Sequence, residues 1–237
     1  MIVVFPLNGL GQRFLDAGYT TPKPFLPVGD KPLLLKAIQS MPEDCQYVFV
    51  ARKEYLDGLY KIMPITGMIV EAAMPTVGPL QTLLRPESLH WINGGEELLI
   101  ADCDSFFEDP QELAKAIEFF RLKAASGGVT IRETNDPEVS YVRLGREDKV
   151  VEAKEKEVIS PWSATGPYWF RDGKTFVRYG KEADEFGAKT ISPIYGFMHR
   201  MGEEVLAYEV KSFVHLGTPE AYGQYLRAHE EPPQPPA

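Results

Sequence analysis

The sequence has little of what several protein classes need. Two cysteines, Cys45 and Cys103, are too few for a disulfide framework and too isolated for a zinc site. They read as reduced thiols, and with no leader-like opening they point to the cytoplasm. No apolar run approaches the ~20 residues of a membrane span, so no membrane partner is expected. Positive charge is not in excess: 25 Lys and Arg stand against 34 Asp and Glu, a net charge of −9. That balance argues against nucleic acid as a partner and for simple solubility. The Gly-Lys-Ser/Thr of a Walker A loop is missing, as is the third glycine of a dinucleotide fingerprint. No internal repeat is present.

What is present begins at the first residues. Ile2–Leu7 is an apolar, β-branched and aromatic run that reads as a buried strand. It is followed by Asn8-Gly9-Leu10-Gly11-Gln12-Arg13-Phe14 and then by Pro22-Lys23-Pro24. Glycine lets backbone N–H groups approach a ligand closely, and a concave run of N–H groups binds phosphate oxygens. Arg13 and Lys23 add two positive charges where a polyphosphate would lie. Pro22, Pro24 and Pro27 prevent a long helix from starting there.

Strand-like runs recur at Tyr47–Ala51, Met68–Val70 and Leu98–Ala101. Helix-like stretches lie between and after them at Leu33–Met41, Pro79–Leu89 and Gln111–Ala124. This alternation predicts a mainly parallel sheet flanked by helices. From Gly127 the pattern changes. Gly127–Glu133, Val139–Leu144, Val150–Glu155 and Thr165–Phe170 follow in quick succession, with a turn at 145–149. They should add antiparallel strands beside the parallel core. Glu204–Val210 and Ser212–Leu216 are further strand candidates, and Pro219–His229 a last helix. Residues 230–237 form a proline-rich polar tail. The expectation is one α/β domain over 1–229, with parts at about 1–126 and 127–229.

Leu98–Ala101 leads into Asp102-Cys103-Asp104-Ser105, a strand end with two carboxylates. In open α/β sheets ligands bind beyond the carboxyl ends of strands, and carboxylates there can hold Mg²⁺. In an extended chain the two side chains would project alike. The same three residues spell Asp-x-Asp, the metal-binding pattern of GT-A-like glycosyltransferases, which use nucleotide-sugars. That is a rival reading, although it does not require Arg13 and Lys23.

Gly9-Leu10-Gly11-Gln12-Arg13-Phe14, Gly18-Tyr19 and Pro22-Lys23-Pro24-Phe25-Leu26-Pro27-Val28 resemble the signature loop of the sugar-phosphate nucleotidyltransferases, or NDP-sugar pyrophosphorylases. Later segments match in order to about Arg227. The resemblance implies a Rossmann-like mixed sheet with a smaller antiparallel acceptor-binding lobe. It implies transfer of a nucleoside monophosphate from an NTP to a sugar phosphate, with release of pyrophosphate. The product would be a nucleotide-sugar, of the kind used in polysaccharide biosynthesis.

By the same resemblance, Arg13 and Lys23 are catalytic, on the β,γ- and α-phosphates respectively. Leu7, Asn8, Gly9, Gly11, Gly78 and Asp102 bind the nucleotide. Val77-Gly78-Pro79-Leu80-Gln81-Thr82 matches the segment that brackets base and ribose. Glu155 and Lys156 match a Glu-Lys strand end that contacts sugar hydroxyls and sugar phosphate, though Glu157 stands where the family has proline. Gly166 and Tyr168 match its Gly-x-Tyr segment on the substrate side. Asp104 matches the aspartate that holds Mg²⁺. Before Gly217-Thr218-Pro219-Glu220, many members carry a second metal-binding aspartate; here it is His215, and imidazole suits Mg²⁺ poorly. The base (CTP, dTTP or UTP), a non-sugar phosphate as acceptor, and a homo-oligomer are left open.

Overall fold

The computed structural model describes residues 1–63 and 67–229. The expected tail at 230–237 lies outside the described residues. β1 (Ile2–Leu7) is buried on both sides. Val3, Phe5 and Leu7 enter one core, while Ile2 and Val4 enter the other, as the two-residue strand period requires.

After α1 (Gln12–Asp16) come a short hairpin, β2 (Pro27–Val28) and β3 (Lys31–Pro32), then α2 (Leu33–Gln39) and β4 (Gln46–Ala51). Next are α3 (Leu56–Ile62), β5 (Gly67–Glu71), α4 (Pro79–Leu83), α5 (Pro86–Ile92) and β6 (Leu98–Ile100). β1 pairs in parallel with β4 on one side and β6 on the other, and β4 pairs in parallel with β5. The single helix expected over Pro79–Leu89 is two helices. Pro86 has no N–H to continue α4, and it serves instead in the first turn of α5.

The second part runs through β7 (Ser105–Phe107), α6 (Pro110–Leu122), β8 (Gly127–Glu133), β9 (Ser140–Leu144), β10 (Val150–Glu155) and β11 (Trp162–Phe170). It ends with α7 (Gly173–Glu185), α8 (Pro193–Arg200), β12 (Val205–Glu209), β13 (Phe213–His215) and α9 (Pro219–His229). Asp109 caps α6 by accepting from Gln111 N–H at 3.0 Å, and Asp172 caps α7 by accepting from Thr175 N–H at 2.7 Å. Among the described residues the main sheet has nine strands, with helices on both faces. α4, α5, α7 and α8 bury their apolar residues on one face, and α2, α3 and α6 on the other. Phe14, Leu26, Leu33, Phe106, Leu216 and Tyr222 form a third, smaller cluster that fastens α9 beside α1.

β11 is where the sheet divides. Its C-terminal half, Tyr168–Phe170, runs antiparallel to β6, while Ser163 near its start pairs with Tyr141 of β9 on the same edge. Its other edge pairs with β8, with a register shift between Ala164 and Tyr168. Between the two branches the chain at 164–167 has no strand beside it on that edge among the described residues. The cleft opens there, beyond the carboxyl end of β6.

Candidate active site

Two cavities meet in this cleft. The larger, about 350 Å³, is lined by Leu7 at the end of β1, by Gly9, Leu10 and Gly11 of the loop after it, and by Lys23, Tyr55, Gly78 and 102–104. The smaller, about 150 Å³, lies in the division of the sheet and is lined by Asp102, Arg132, Ser140, Glu155, Ser163, Tyr168 and His215, among others. Asp102 and Pro79 belong to both walls.

The glycine loop is held by its neighbours. The Tyr55 hydroxyl donates to Gly9 C=O at 3.1 Å. The buried Asn8 amide donates to Met74 C=O at 2.9 Å and to Thr76 Oγ1 at 3.1 Å, tying the loop to the segment before α4. Gly11 adopts φ 68°, in the left-handed region, and from there α1 begins. Gly78 is needed for a different reason: a Cβ there would collide with Lys189 C=O.

Lys23 sits in a short 3-10 turn after Pro22, its side chain only 18% exposed, with its ammonium on the Asp104 carboxylate. Burial pulls the Lys23 pKa down, but attraction to Asp104, Cys103 and Asp102 outweighs it, and the net shift is upward. Burial pushes Asp104 the other way, yet Lys23 and His215 hold it down at about 2. For Asp102 burial and repulsion from Asp104 outweigh the attraction of Lys23 and raise it to about 7. His215 Nε2 is 3.9 Å from Asp104, but burial wins and its pKa falls, leaving a neutral ring at pH 7.

The expectation that Asp102 and Asp104 project alike from an extended chain is not met. β6 ends at Ile100 and the chain turns at Cys103-Asp104, so Asp102 faces both cavities while Asp104 faces only the larger.

On the smaller cavity, Glu155 ends β10 and accepts hydrogen bonds from the Ser140 hydroxyl and from Thr190 Oγ1 at 3.2 Å. Gly166 lies at the register shift of β11 with φ 50°, and a Cβ there would come 3.2 Å from the Asp102 carboxylate. Tyr168 is buried, and burial with the charges of Asp102 and Glu155 raises its pKa. Lys156 lines neither cavity. It has φ 54° and its ammonium binds Glu138 at 2.8 Å. Arg13, in α1, also lies outside both walls and binds the same Glu138 oxygen at 2.9 Å. Glu138 thus links the loop of one cavity to the strand end of the other.

Several wall residues were not anticipated from sequence: Tyr55, Thr76, Arg132, Glu138, Ser140 and Thr190. One carried a signal. In β8 Val129 and Ile131 face the core, so alternation puts Thr130 and Arg132 on the opposite face. Glu138, Ser140 and Thr190 lie in or beside loops, where no periodicity marks them.

Among the described residues, no group of three His, Cys, Asp or Glu converges as a metal cage. Mg²⁺ does not need one, because it binds through one or two carboxylates and completes its shell with waters and substrate phosphates. Asp104 is firmly ionised, and Asp102 is a half-buried carboxylate that a divalent cation would keep ionised. This pair fits Mg²⁺, whereas the His215 nitrogen adds little.

The fold is that of the nucleotidyltransferases, as the loop motifs lead one to expect. A nucleoside-diphosphate-sugar pyrophosphorylase from Vibrio cholerae RC9 superimposes with a TM-score of 0.79 at 20% identity, covering 96% of this chain and 100% of that one. A UDP-glucose pyrophosphorylase in complex with UDP-glucose gives 0.78 at 19% identity, covering 96% and 97%. The inositol-1-phosphate CTP transferase of T. maritima gives 0.76 at 18% identity, covering 94% and 92%. In sequence, the bifunctional protein GlmU of Methanocaldococcus jannaschii is 25% identical over 152 residues, 62% of this chain. The matched region is 34% of that relative, about a third of its length. No protein-family model matches the chain.

Proposed function

We propose that this protein is a nucleotidyltransferase that moves a nucleoside monophosphate from a triphosphate to a sugar phosphate, releasing pyrophosphate. The observation that carries the reading is the shared wall at Asp102. A large cavity with a glycine loop and Lys23 meets a small polar cavity at a strand end that suits Mg²⁺. The nucleotide-binding part is then about 1–126 and the acceptor-binding part about 127–229.

An oxygen of the acceptor phosphate attacks the α-phosphorus, and the bond from that phosphorus to the β-phosphate oxygen breaks. No general base is required, because the acceptor phosphate is already ionised at neutral pH. The protein contributes alignment and charge neutralisation. Lys23 serves the α-phosphate and Arg13 the departing β- and γ-phosphates. Glu155 and Tyr168 contact the acceptor, and Gly166 lets it approach the backbone. Lys156 reaches its phosphate after leaving Glu138, whose carboxylate sits between two cations as a phosphate oxygen would. Asp104 with Asp102 would hold Mg²⁺, which supplies charge neutralisation to the phosphates of both substrates.

Among the described residues no helix is long and apolar enough to cross a membrane. With two cysteines that suit a reducing compartment, we read the setting as cytoplasmic and the product as a donor for polysaccharide assembly.

A second reading keeps the reaction and changes the acceptor to a non-sugar phosphate. It is favoured by Lys156 lying outside the small cavity and by Glu157 in place of the family's proline. Both readings are tested by incubating the protein with Mg²⁺, each of four triphosphates and a panel of phosphorylated sugars and alcohols. Pyrophosphate release, with triphosphate regenerated in reverse, is expected. Release of a nucleoside diphosphate from a nucleotide-sugar would instead establish a glycosyltransferase.

A further inference from the structure

Among the described residues Arg132 is the only lysine or arginine lining the smaller cavity. Its side chain is half-buried, and its guanidinium donates to Phe213 C=O at 3.3 Å while lying 5.2 Å from the Phe213 ring centre. Those contacts fix its direction but use few of its five donors. No carboxylate lies within ion-pair distance of it among the described residues, although Glu138 and Glu155 line the same cavity. Burial lowers its pKa and Asp136 offsets this only in part. A permanent cation is therefore held partly desolvated, facing a cavity, with no carboxylate paired to it among the described residues.

Its place along the sheet separates it from the transfer centre. Arg132 is opposite Ser163 of β11, and Asp102 is beside Gly166 of the same strand. Three residues of strand span roughly 10 Å. A phosphate at Asp102 and a group at Arg132 would be opposite ends of one small acceptor. Guanidinium presents a planar fork that matches a carboxylate in two parallel hydrogen bonds.

We propose that the acceptor carries a carboxylate in addition to its phosphate, and that Arg132 binds that carboxylate. The proposal rests on reading the smaller cavity as the acceptor site. It makes Arg132 a specificity residue, selecting phosphorylated acids over their neutral counterparts.

The test is direct calorimetric titration in the presence of Mg²⁺, which requires no turnover. Two matched probe pairs are used: glucuronate 1-phosphate against glucose 1-phosphate, and 3-phosphoglycerate against glycerol 3-phosphate. The carboxylated member of at least one pair should bind about tenfold or more tightly, the scale of one charged hydrogen-bonded contact. In Arg132→Gln that preference should collapse to about twofold or less, and Arg132→Lys should retain part of it. Melting curves identify a variant that fails to fold, and Arg132→Lys then carries the comparison. Equal affinities within both pairs would overturn the proposal, as would no binding of any probe. So would an Arg132→Gln variant that weakens both members of a pair alike, because the residue would then serve the phosphate. Failure of the nucleotidyltransferase reading is seen separately, as no pyrophosphate release with any triphosphate and acceptor.

Discussion

The two halves of the cleft are built in opposite ways. The larger cavity draws on a contiguous loop after one buried strand, on the strand end 102–104 and on the turn that carries Lys23. The smaller cavity takes its wall from Asp102, β8, β9, β10, β11, β13 and the 190–191 segment, which come together only in the folded sheet. Both are polar, but charge is managed differently. In the larger, Lys23 and Asp104 neutralise each other. In the smaller, Asp102, Glu155 and Arg132 each lack an opposite charge within ion-pair distance among the described residues. A cavity with satisfied charges keeps its shape without ligand, whereas one with unsatisfied charges gains most from an occupant that supplies them.

Changes at the Lys23–Asp104 pair should break this contrast most severely. Lys23→Ala leaves Asp104 buried without its cation. Turnover should fall by about a hundredfold or more, from loss of a phosphate contact worth ~3 kcal/mol. The melting temperature should fall as well, because the remaining carboxylate is uncompensated. Asp104→Asn should be similarly damaging to rate and raise the Mg²⁺ requirement, while His215→Ala should cost only a few-fold. Steady-state pyrophosphate release with a magnesium titration measures all three. Near-normal turnover in Lys23→Ala would remove that lysine from the chemistry.

Gly166→Ala should act on the other side of the cleft. The positive φ and the Asp102 carboxylate at 3.2 Å oppose a Cβ. A cost of about 1–2 kcal/mol should appear mainly as a roughly tenfold higher KM for the acceptor, with the KM for triphosphate little changed. The reverse split would mean that the smaller cavity does not hold the acceptor.

Glu138→Gln should have a smaller effect. Its ion pairs with Arg13 and Lys156 are half-exposed and screened by solvent, so the melting temperature should barely change. Freed of the carboxylate, both lysine and arginine should meet phosphate more readily, lowering the KM for triphosphate or acceptor a few-fold. A rise in both KM values would instead make Glu138 a support for the two cations.

The mildest effect is chemical. Burial and the charge of Asp104 push the Cys103 thiol up to about 12. The reactive thiolate is therefore scarce at pH 8 and gains about tenfold per pH unit. Iodoacetamide labelling of Cys103, followed by mass spectrometry, should still be rising at pH 10. A plateau near pH 8.5 would show a solvated thiol and a more open cavity wall.

Local sequence settled the parts of this protein whose physics is local. The run Ile2–Leu7 is apolar on both faces and had to be an internal strand, and the glycines after it marked a loop. The helix Pro219–His229 was marked by Thr218-Pro219, and the helix after Asp109 by its capping residue. Other parts needed the rest of the chain. Pro86 divided an apolar stretch that otherwise looks continuous. The 171–203 region gave no clear signal, yet α7 and α8 form there because Phe176, Tyr179, Ile194 and Tyr195 have a sheet face to cover. The turn at Cys103-Asp104, the alliance of Lys23 with Asp104 across 81 residues and that of Arg13 with Glu138 across 125 were decided only by folding. The sequence thus determined the strand, the glycine loop and the identity of the charges. Which charges neutralise each other, and which are left facing a cavity, was decided by strand pairing at β11, since electrostatic partnership depends on distance in space and burial.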